Sequence, residues 1–235
     1  MYFPVGDPEF PIEWLDVYAE NGVDIVEFGW PARVPYLDGP EVRASMRRAL
    51  CGDAADAFRR ALQRLARNSA APKALLMTYA EEGHPAFADA DLFRGLDALL
   101  VVANPSDPLR VALEARARAA GVAVSAFVPL PIDDENVAAA RRADFYTMLQ
   151  AAHGVTGPRA TLDEDNRERI AHLRRAGVAG PILIGFGISD GAQARKTVEL
   201  GADGVVVGSA ALRAARRGRE ALDMLLKGLR DGLDG

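Results

Sequence analysis

The chain has 235 residues, of which 49% are hydrophobic and 26% charged, a composition typical of a globular protein with one large core. Its net charge of -5 argues against a nucleic-acid partner, and no apolar run approaches the roughly 20 residues of a membrane-spanning helix. The single cysteine, Cys51, excludes an internal disulfide, and the N-terminal residues do not resemble a signal peptide. We therefore expect a cytoplasmic protein that does not bind membranes.

A local pattern recurs along the chain, in which a helical stretch ends at a glycine and an apolar, β-branched run follows. It is found at 21–26, 94–102, 120–124, 176–179 and 200–207. Glycine is favoured just after a helix because it tolerates the left-handed conformation. A continuous apolar run is typical of a strand buried on both faces, as in a parallel sheet. The repeats therefore indicate successive βα units.

The repeated pattern predicts eight strands, near 1–5, 23–28, 73–78, 97–102, 122–127, 144–149, 181–185 and 203–207. Helices fill the intervening segments, and residues 40–70 are long enough for two. We predict an α/β protein, a (β/α)8 TIM barrel, with one domain over residues 1–235. An open, doubly wound sheet is the alternative, but eight units without a change in composition favour closure.

Two carboxylates fall on the face of this barrel that carries active sites. Glu27 lies near the C-terminal end of the second predicted strand, and Asp38 lies in the loop that follows. An acid in a buried strand costs free energy unless it is paired or used, which makes Glu27 and Asp38 candidates for acid–base catalysis. A buried ion pair for Glu27 and a turn-capping role for Asp38 remain as alternatives.

Three glycine-rich turns follow the last three predicted strands, at 154–157, 185–189 and 208–210. Glycines let backbone N–H groups approach an anion closely, and a helix N-terminus adds a favourable dipole. Many barrels of this class bind a phosphate group after strands seven and eight. The three consecutive turns therefore predict a phosphate-binding site.

These motifs, in this order, resemble the tryptophan synthase alpha subunit family. The resemblance covers nearly the whole chain and rests on the segments 2–8, 27–31, 35–40, 76–79, 154–157, 185–189 and 208–210. It implies a carbon–carbon lyase of tryptophan biosynthesis that cleaves indole-3-glycerol phosphate by a retro-aldol reaction. The products would be indole and glyceraldehyde 3-phosphate, and no cofactor or metal is implied.

The resemblance also implies a role for each candidate residue. Glu27 would be the acid that protonates indole C3, and Asp38 would hold the indole N–H. Phosphate contacts would come from Gly157, Gly187, Gly208 and Ser209. The indole pocket would be lined by Tyr2, Tyr79, Leu100, Val102, Phe127 and Phe186, although each of these is also a plausible core residue.

Four positions depart from the family pattern. Val34 stands where the second loop usually has Asp, Glu81 where the third turn usually has Asn, and residues 102–105 read Val-Ala-Asn-Pro instead of Ala-Asp-x-Pro. Because these loops contact or signal to the beta subunit in the family, we expect the chain not to dock to a standard beta subunit and to act alone. Met148 replaces a tyrosine near the catalytic acid.

Two alternative functions follow from these departures. The same phosphate-binding barrel could act on a different indole or glycerol-phosphate-type substrate in specialised metabolism. The chain could also be a degenerate regulatory subunit that only binds substrate, although retention of Glu27 and Asp38 argues against this. His153, beside the first glycine turn, is a candidate substrate contact, whereas His84 and His172 are predicted to be surface residues.

Overall fold

The computed structural model describes residues 1–68, 71–152 and 163–235. Eight parallel strands follow one another in chain order around one sheet. They are β1 (Tyr2–Pro4), β2 (Ile25–Gly29), β3 (Lys73–Tyr79), β4 (Ala98–Val102), β5 (Ala123–Val128), β6 (Thr147–Gln150), β7 (Ile182–Gly185) and β8 (Gly204–Val206). The Tyr2 N–H donates to the Val207 carbonyl at 3.0 Å, which joins β1 to the end of β8. The predicted (β/α)8 barrel is confirmed.

Helices surround the barrel. Those within the described ranges are α1 (Trp14–Glu20), α2 (Pro40–Ala49), α3 (Ala54–Leu65), α4 (Pro108–Ala119), α5 (Asp134–Arg141), α6 (Asn166–Arg175), α7 (Gly191–Glu199), α8 (Ser209–Arg216) and α9 (Arg219–Asp234). The two helices predicted for residues 40–70 are α2 and α3. Two short 3-10 turns, Pro85–Phe87 and Ala90–Phe93, lie between β3 and β4.

Four helices start at an aspartate whose carboxylate accepts a hydrogen bond from a backbone N–H of the first turn. These residues are Asp53 before α3, Asp107 before α4, Asp133 before α5 and Asp190 before α7. Such a cap stabilises a helix by about 1 kcal/mol. Helix α8 differs, because Gly208 precedes it and has no side chain to accept from its first N–H groups. Its N-terminus is therefore open to an external anion.

A buried acid fixes the turn after β1. Asp7 accepts hydrogen bonds from Arg48 Nε at 2.8 Å and from the Ser45 hydroxyl, and both partners belong to α2. Helix α2 directly follows the loop that carries Asp38. The turn after β1 is therefore held against α2.

The prediction that His84 is a surface residue is wrong. His84 is only 5% exposed, and its ring lies 5.1 Å from that of Trp30. Its Nδ1 atom accepts a hydrogen bond from the Ala86 N–H at 3.2 Å, which caps the first 3-10 turn. Burial lowers the pKa of His84 to about 4.

The lowered pKa predicts an acid-sensitive contribution to folding. Below pH 6.5 the unfolded chain binds a proton at His84 that the folded chain takes up only near pH 4. As the pH is lowered from 6.5 to 4, the free energy of unfolding of the wild-type protein should therefore decrease by about 3 kcal/mol more than that of His84→Asn. The asparagine keeps a capping oxygen but does not titrate. Urea unfolding at the two ends of the window measures this. Parallel pH profiles for the two proteins would contradict the prediction, and the exposed His172→Asn serves as the control.

Candidate active site

One cavity opens at the C-terminal ends of the strands and gathers most of the predicted site residues. Those that line it are Tyr2, Glu27, Asp38, Tyr79, Leu100, Val102, Phe127, Phe186, Gly187, Gly208 and Ser209. Gly157 and His153 lie outside the described residues. The structure thus brings together eleven residues predicted to share a site, while their individual roles stay predictions.

Glu27 lies inside the barrel on β2 and is only 4% exposed. The Tyr146 hydroxyl donates a hydrogen bond to its Oε2 atom at 2.9 Å. Burial raises the pKa of Glu27 to about 7, while the hydrogen bond from Tyr146 opposes this rise. Near neutral pH, Glu27 therefore populates both its acid and its carboxylate forms, as a group that gives and takes a proton should.

Tyr146 is a hydrogen-bond partner of Glu27 that could not be recognised from the sequence motifs. The resemblance places a tyrosine at position 148, and the structure shows that Met148 lines the cavity there. The hydroxyl beside Glu27 comes instead from Tyr146, just before β6. Residues 146 and 148 share a strand-like face because side chains alternate along extended chain, and this spacing was the available signal.

The side chain of Asp38 is hydrogen-bonded to a residue of β3. It is 6% exposed, and the Tyr79 hydroxyl donates to its Oδ2 atom at 2.7 Å. The ring of Tyr36 packs edge-on against that of Tyr79, with 5.1 Å between the centroids. The carboxylate therefore has a fixed position, which is what stabilising a developing positive charge requires.

The loop that carries Asp38 has a second attachment. One oxygen of Glu81, Oε1, accepts hydrogen bonds from the backbone N–H groups of Arg33 at 3.0 Å and Val34 at 3.1 Å. Glu81 follows β3 by two residues, so the end of this one strand holds the loop at both Val34 and Asp38. The two departures from the family pattern, at positions 34 and 81, are thus in direct contact.

The part of the cavity wall formed by the start of α8 has the features of an anion site. The Ser209 hydroxyl is buried, in a residue 6% exposed, and has no hydrogen-bond partner among the described residues. It lies in the first turn of α8, where free N–H groups and the helix dipole favour a negative charge. An unsatisfied buried hydroxyl costs about 1–3 kcal/mol, so a ligand that bonds to it is favoured.

Two details of the backbone shape the cavity wall. Phe186 has a positive φ of 78°, a strained conformation for a residue with a side chain, and its ring lies 6.0 Å from that of Phe127. At Gly29 an added Cβ would lie 2.2 Å from the Tyr2 ring, so glycine is needed there for Tyr2 to reach the cavity. The strained backbone at Phe186 and the close approach of Tyr2 to Gly29 thus help to shape the aromatic wall of the cavity.

The sequence matches one protein family over nearly its whole length. A family model described as "Tryptophan synthase alpha chain" matches residues 1–228. The chain belongs to the tryptophan synthase alpha chain family. Members of this lyase family cleave indole-3-glycerol phosphate in tryptophan biosynthesis.

Individual alpha chains agree with this. The chain is 33% identical over 242 residues to the tryptophan synthase alpha chain of Burkholderia thailandensis, covering 97% of this chain and 88% of that one. It is 30% identical to that of Synechococcus elongatus, covering 99% and 90%. A structure of Mycobacterium tuberculosis tryptophan synthase superimposes with a TM-score of 0.84 at 27% identity, covering 99% and 90% of the two chains.

Within residues 1–68, 71–152 and 163–235, no group of three or more His, Cys, Asp or Glu side chains is placed to hold a metal ion. In the same ranges, no helix is long and apolar enough to cross a membrane. The matches to tryptophan synthase alpha chains give no support to the expected loss of beta-subunit docking.

Proposed function

We propose that this chain itself cleaves indole-3-glycerol phosphate to indole and glyceraldehyde 3-phosphate, and that it does so without a second subunit. The observation that carries the proposal is one cavity lined by two acids, each hydrogen-bonded by a tyrosine, and by the buried Ser209 hydroxyl, which has no partner among the described residues. An aromatic, phosphorylated substrate needs this combination of an apolar wall and a polar end.

In the proposed reaction Glu27 transfers two protons in succession. Its carboxylic acid donates a proton to indole C3, which leaves the ring nitrogen positively charged. The resulting carboxylate then takes the proton from the hydroxyl group on the adjacent glycerol carbon. The bond between that carbon and C3 breaks, its electrons restore the aromatic ring, and the carbon becomes the aldehyde. Glu27 ends the cycle as it began, and its pKa of about 7 suits both steps.

Asp38 would stabilise the charged intermediate. A carboxylate beside the indole N–H offsets the positive charge that appears on nitrogen when C3 is protonated. Its hydrogen bond from Tyr79 keeps it in place before the charge develops, so little reorganisation is needed during the reaction. The phosphate group would bind at the glycine turns and Ser209, away from the reacting bond.

Independence from a second subunit is supported by the attachments of the loop that carries Asp38. Glu81 holds the start of this loop and Tyr79 its end, and both belong to the same chain. An internal attachment of this kind supplies order that another family member would take from its partner. Docking of a beta chain is a separate matter, since Val34 and Tyr36 are 67% and 52% exposed and offer it an apolar surface. A cytoplasmic location stays a prediction.

Removing the attachment at Glu81 should impair the isolated chain. Glu81→Ala is expected to lower kcat/KM for indole release by about 3- to 10-fold, since two hydrogen bonds to a partly exposed carboxylate are lost. Glu82→Ala alters the neighbouring, exposed carboxylate and should change the rate less than about twofold. Equal rates for the two variants would show that the Glu81 contact does not support catalysis.

The hydrogen bond from Tyr146 predicts a shift in the pH profile. Because this bond stabilises the carboxylate form, Tyr146→Phe should raise the pKa of Glu27 above its value of about 7. If the acid form starts the reaction, kcat/KM falls above the pKa, and the variant should keep its activity to higher pH. The profile of indole release against pH measures this. A falling limb that stays in place or moves to lower pH would contradict the role of Glu27 as the acid.

Identification of the products tests the proposed function. The purified chain is incubated with indole-3-glycerol phosphate, and indole and glyceraldehyde 3-phosphate are quantified separately by chromatography and an enzyme-coupled assay. Equimolar appearance of the two supports the proposal. Binding of the substrate without either product, even with a beta chain present, would favour the regulatory subunit or a different substrate of the same chemical class.

A further inference from the structure

We propose that Arg213 binds the phosphate group of the substrate, exchanging its ion pair with Glu41 for one with the phosphate. This deepens the proposed function and rests on it for the identity of the substrate. Arg213 is the one cationic side chain among the described residues that line the cavity, and it lies on α8, the helix that begins at Ser209. The backbone N–H groups and the Ser209 hydroxyl carry no full charge, so a cation beside them changes how strongly a phosphate dianion binds.

The geometry of a helix places Arg213 close to the proposed phosphate position. Arg213 follows Ser209 by four residues, so the two side chains lie on the same face of α8, one turn apart. Side chains on a helix point back towards its N-terminus. Arg213 and Ser209 both line the cavity, and the Ser209 hydroxyl has no hydrogen-bond partner among the described residues.

Arg213 also links α8 to α2. Its Nη1 atom lies 3.1 Å from Glu41 Oε1, and Glu41 is in the first turn of α2, just after the loop that carries Asp38. The pair is partly exposed, with side-chain exposures of 31% and 23%, so the interaction is weak enough to be exchanged for another. A phosphate dianion offers a guanidinium the same paired oxygens as a carboxylate, with more charge.

Binding of glycerol 3-phosphate to the purified chain tests this without any need for turnover. Arg213→Gln is expected to raise its dissociation constant, measured by calorimetry, about 10- to 50-fold, because a charged hydrogen bond is lost. Arg213→Lys keeps the charge but not the two-pronged geometry and should raise it about 2- to 5-fold. Indole binding should be the same in all three proteins, which separates loss of the phosphate contact from misfolding.

Two further variants sharpen the test. Glu41→Gln releases Arg213 from its ion pair and should tighten glycerol 3-phosphate binding about 2- to 5-fold. Arg216→Gln is the matched control, since Arg216 is on the same helix and pairs with Glu9 at 3.2 Å but does not line the cavity. Equal effects of Arg213→Gln and Arg216→Gln would overturn the proposal, because general surface charge would then explain both.

Failure of this inference and failure of the proposed function give different results. If wild-type protein releases indole and Arg213→Gln does so with an unchanged KM, the function stands and the role of Arg213 falls. If no indole is released but glycerol 3-phosphate binding depends on Arg213 and not on Arg216, the phosphate contact stands and the substrate assignment falls.

Discussion

Glu27→Gln is expected to lower kcat for indole release by about 100- to 10,000-fold, the usual contribution of a general acid–base group. Glutamine has nearly the same shape but cannot give a proton to indole C3. Its carbonyl oxygen can still accept the hydrogen bond that Tyr146 donates to Glu27, so the local packing should survive. Steady-state release of indole at saturating substrate measures the effect.

A binding measurement is the control for Glu27→Gln. Glycerol 3-phosphate should bind to the variant within about twofold of wild type, because the expected anion site is at Ser209 on α8, whereas Glu27 is on β2. A variant that binds normally and turns over at the wild-type rate would rule out Glu27 as the proton donor. A variant that neither binds nor turns over must first be shown to be folded, by its far-ultraviolet circular dichroism.

The second large effect is expected at Asp38. Asp38→Asn should lower kcat/KM by about 100- to 1,000-fold, since the negative charge that stabilises the protonated indole is lost. The asparagine oxygen can still accept from the Tyr79 hydroxyl, so the loop should keep its position. The measurement is the initial rate of indole release at low substrate concentration.

Tyr79→Phe separates charge from position at this site. It leaves the Asp38 carboxylate in place but removes one hydrogen bond to it, so its effect should be about tenfold, well below that of Asp38→Asn. If the two variants lose the same activity, Asp38 acts through the geometry of its loop. Its proposed part in stabilising the indole nitrogen would then be wrong.

The fold was predictable because the information for it is local. A glycine that ends a helix is followed within a few residues by the apolar run of the next strand. Gly22 before β2 and Gly201 before β8 are examples. Boundaries were less accurate where long-range contacts decide them. Strand β6 begins at Thr147 and not near 144, where the Asp144 carboxylate instead accepts a hydrogen bond from the Val124 N–H.

The predicted members of the site share a different kind of local signal. Glu27 and Asp38 are acids at the end of a strand and in the following loop, a placement that can be read once a barrel is assumed. Their partners could not be read in this way. Tyr146 is 119 residues from Glu27 in sequence, and Glu81 is 48 from Arg33. Such pairs are fixed by how the strands are arranged around the barrel.

Burial is the other property that the sequence left undecided. His84 lies in a polar, glycine-containing turn that resembles a surface loop, yet it is packed against Trp30. The Ser209 hydroxyl is similar, since a serine at the start of a helix is usually solvated, whereas here it is buried and has no partner in the part of the chain that the structure describes. Only the packing of several elements shows which polar groups are withdrawn from water.

The ratio of kcat for indole release with and without a saturating tryptophan synthase beta chain tests the central claim most directly. If attachments within the chain, such as those from Glu81 and Tyr79, are enough to hold the loop that carries Asp38, the isolated chain should already be fully active, and the ratio should stay below about 3. Stimulation by about 100-fold or more would contradict the claim, because it would show that a second chain completes the site.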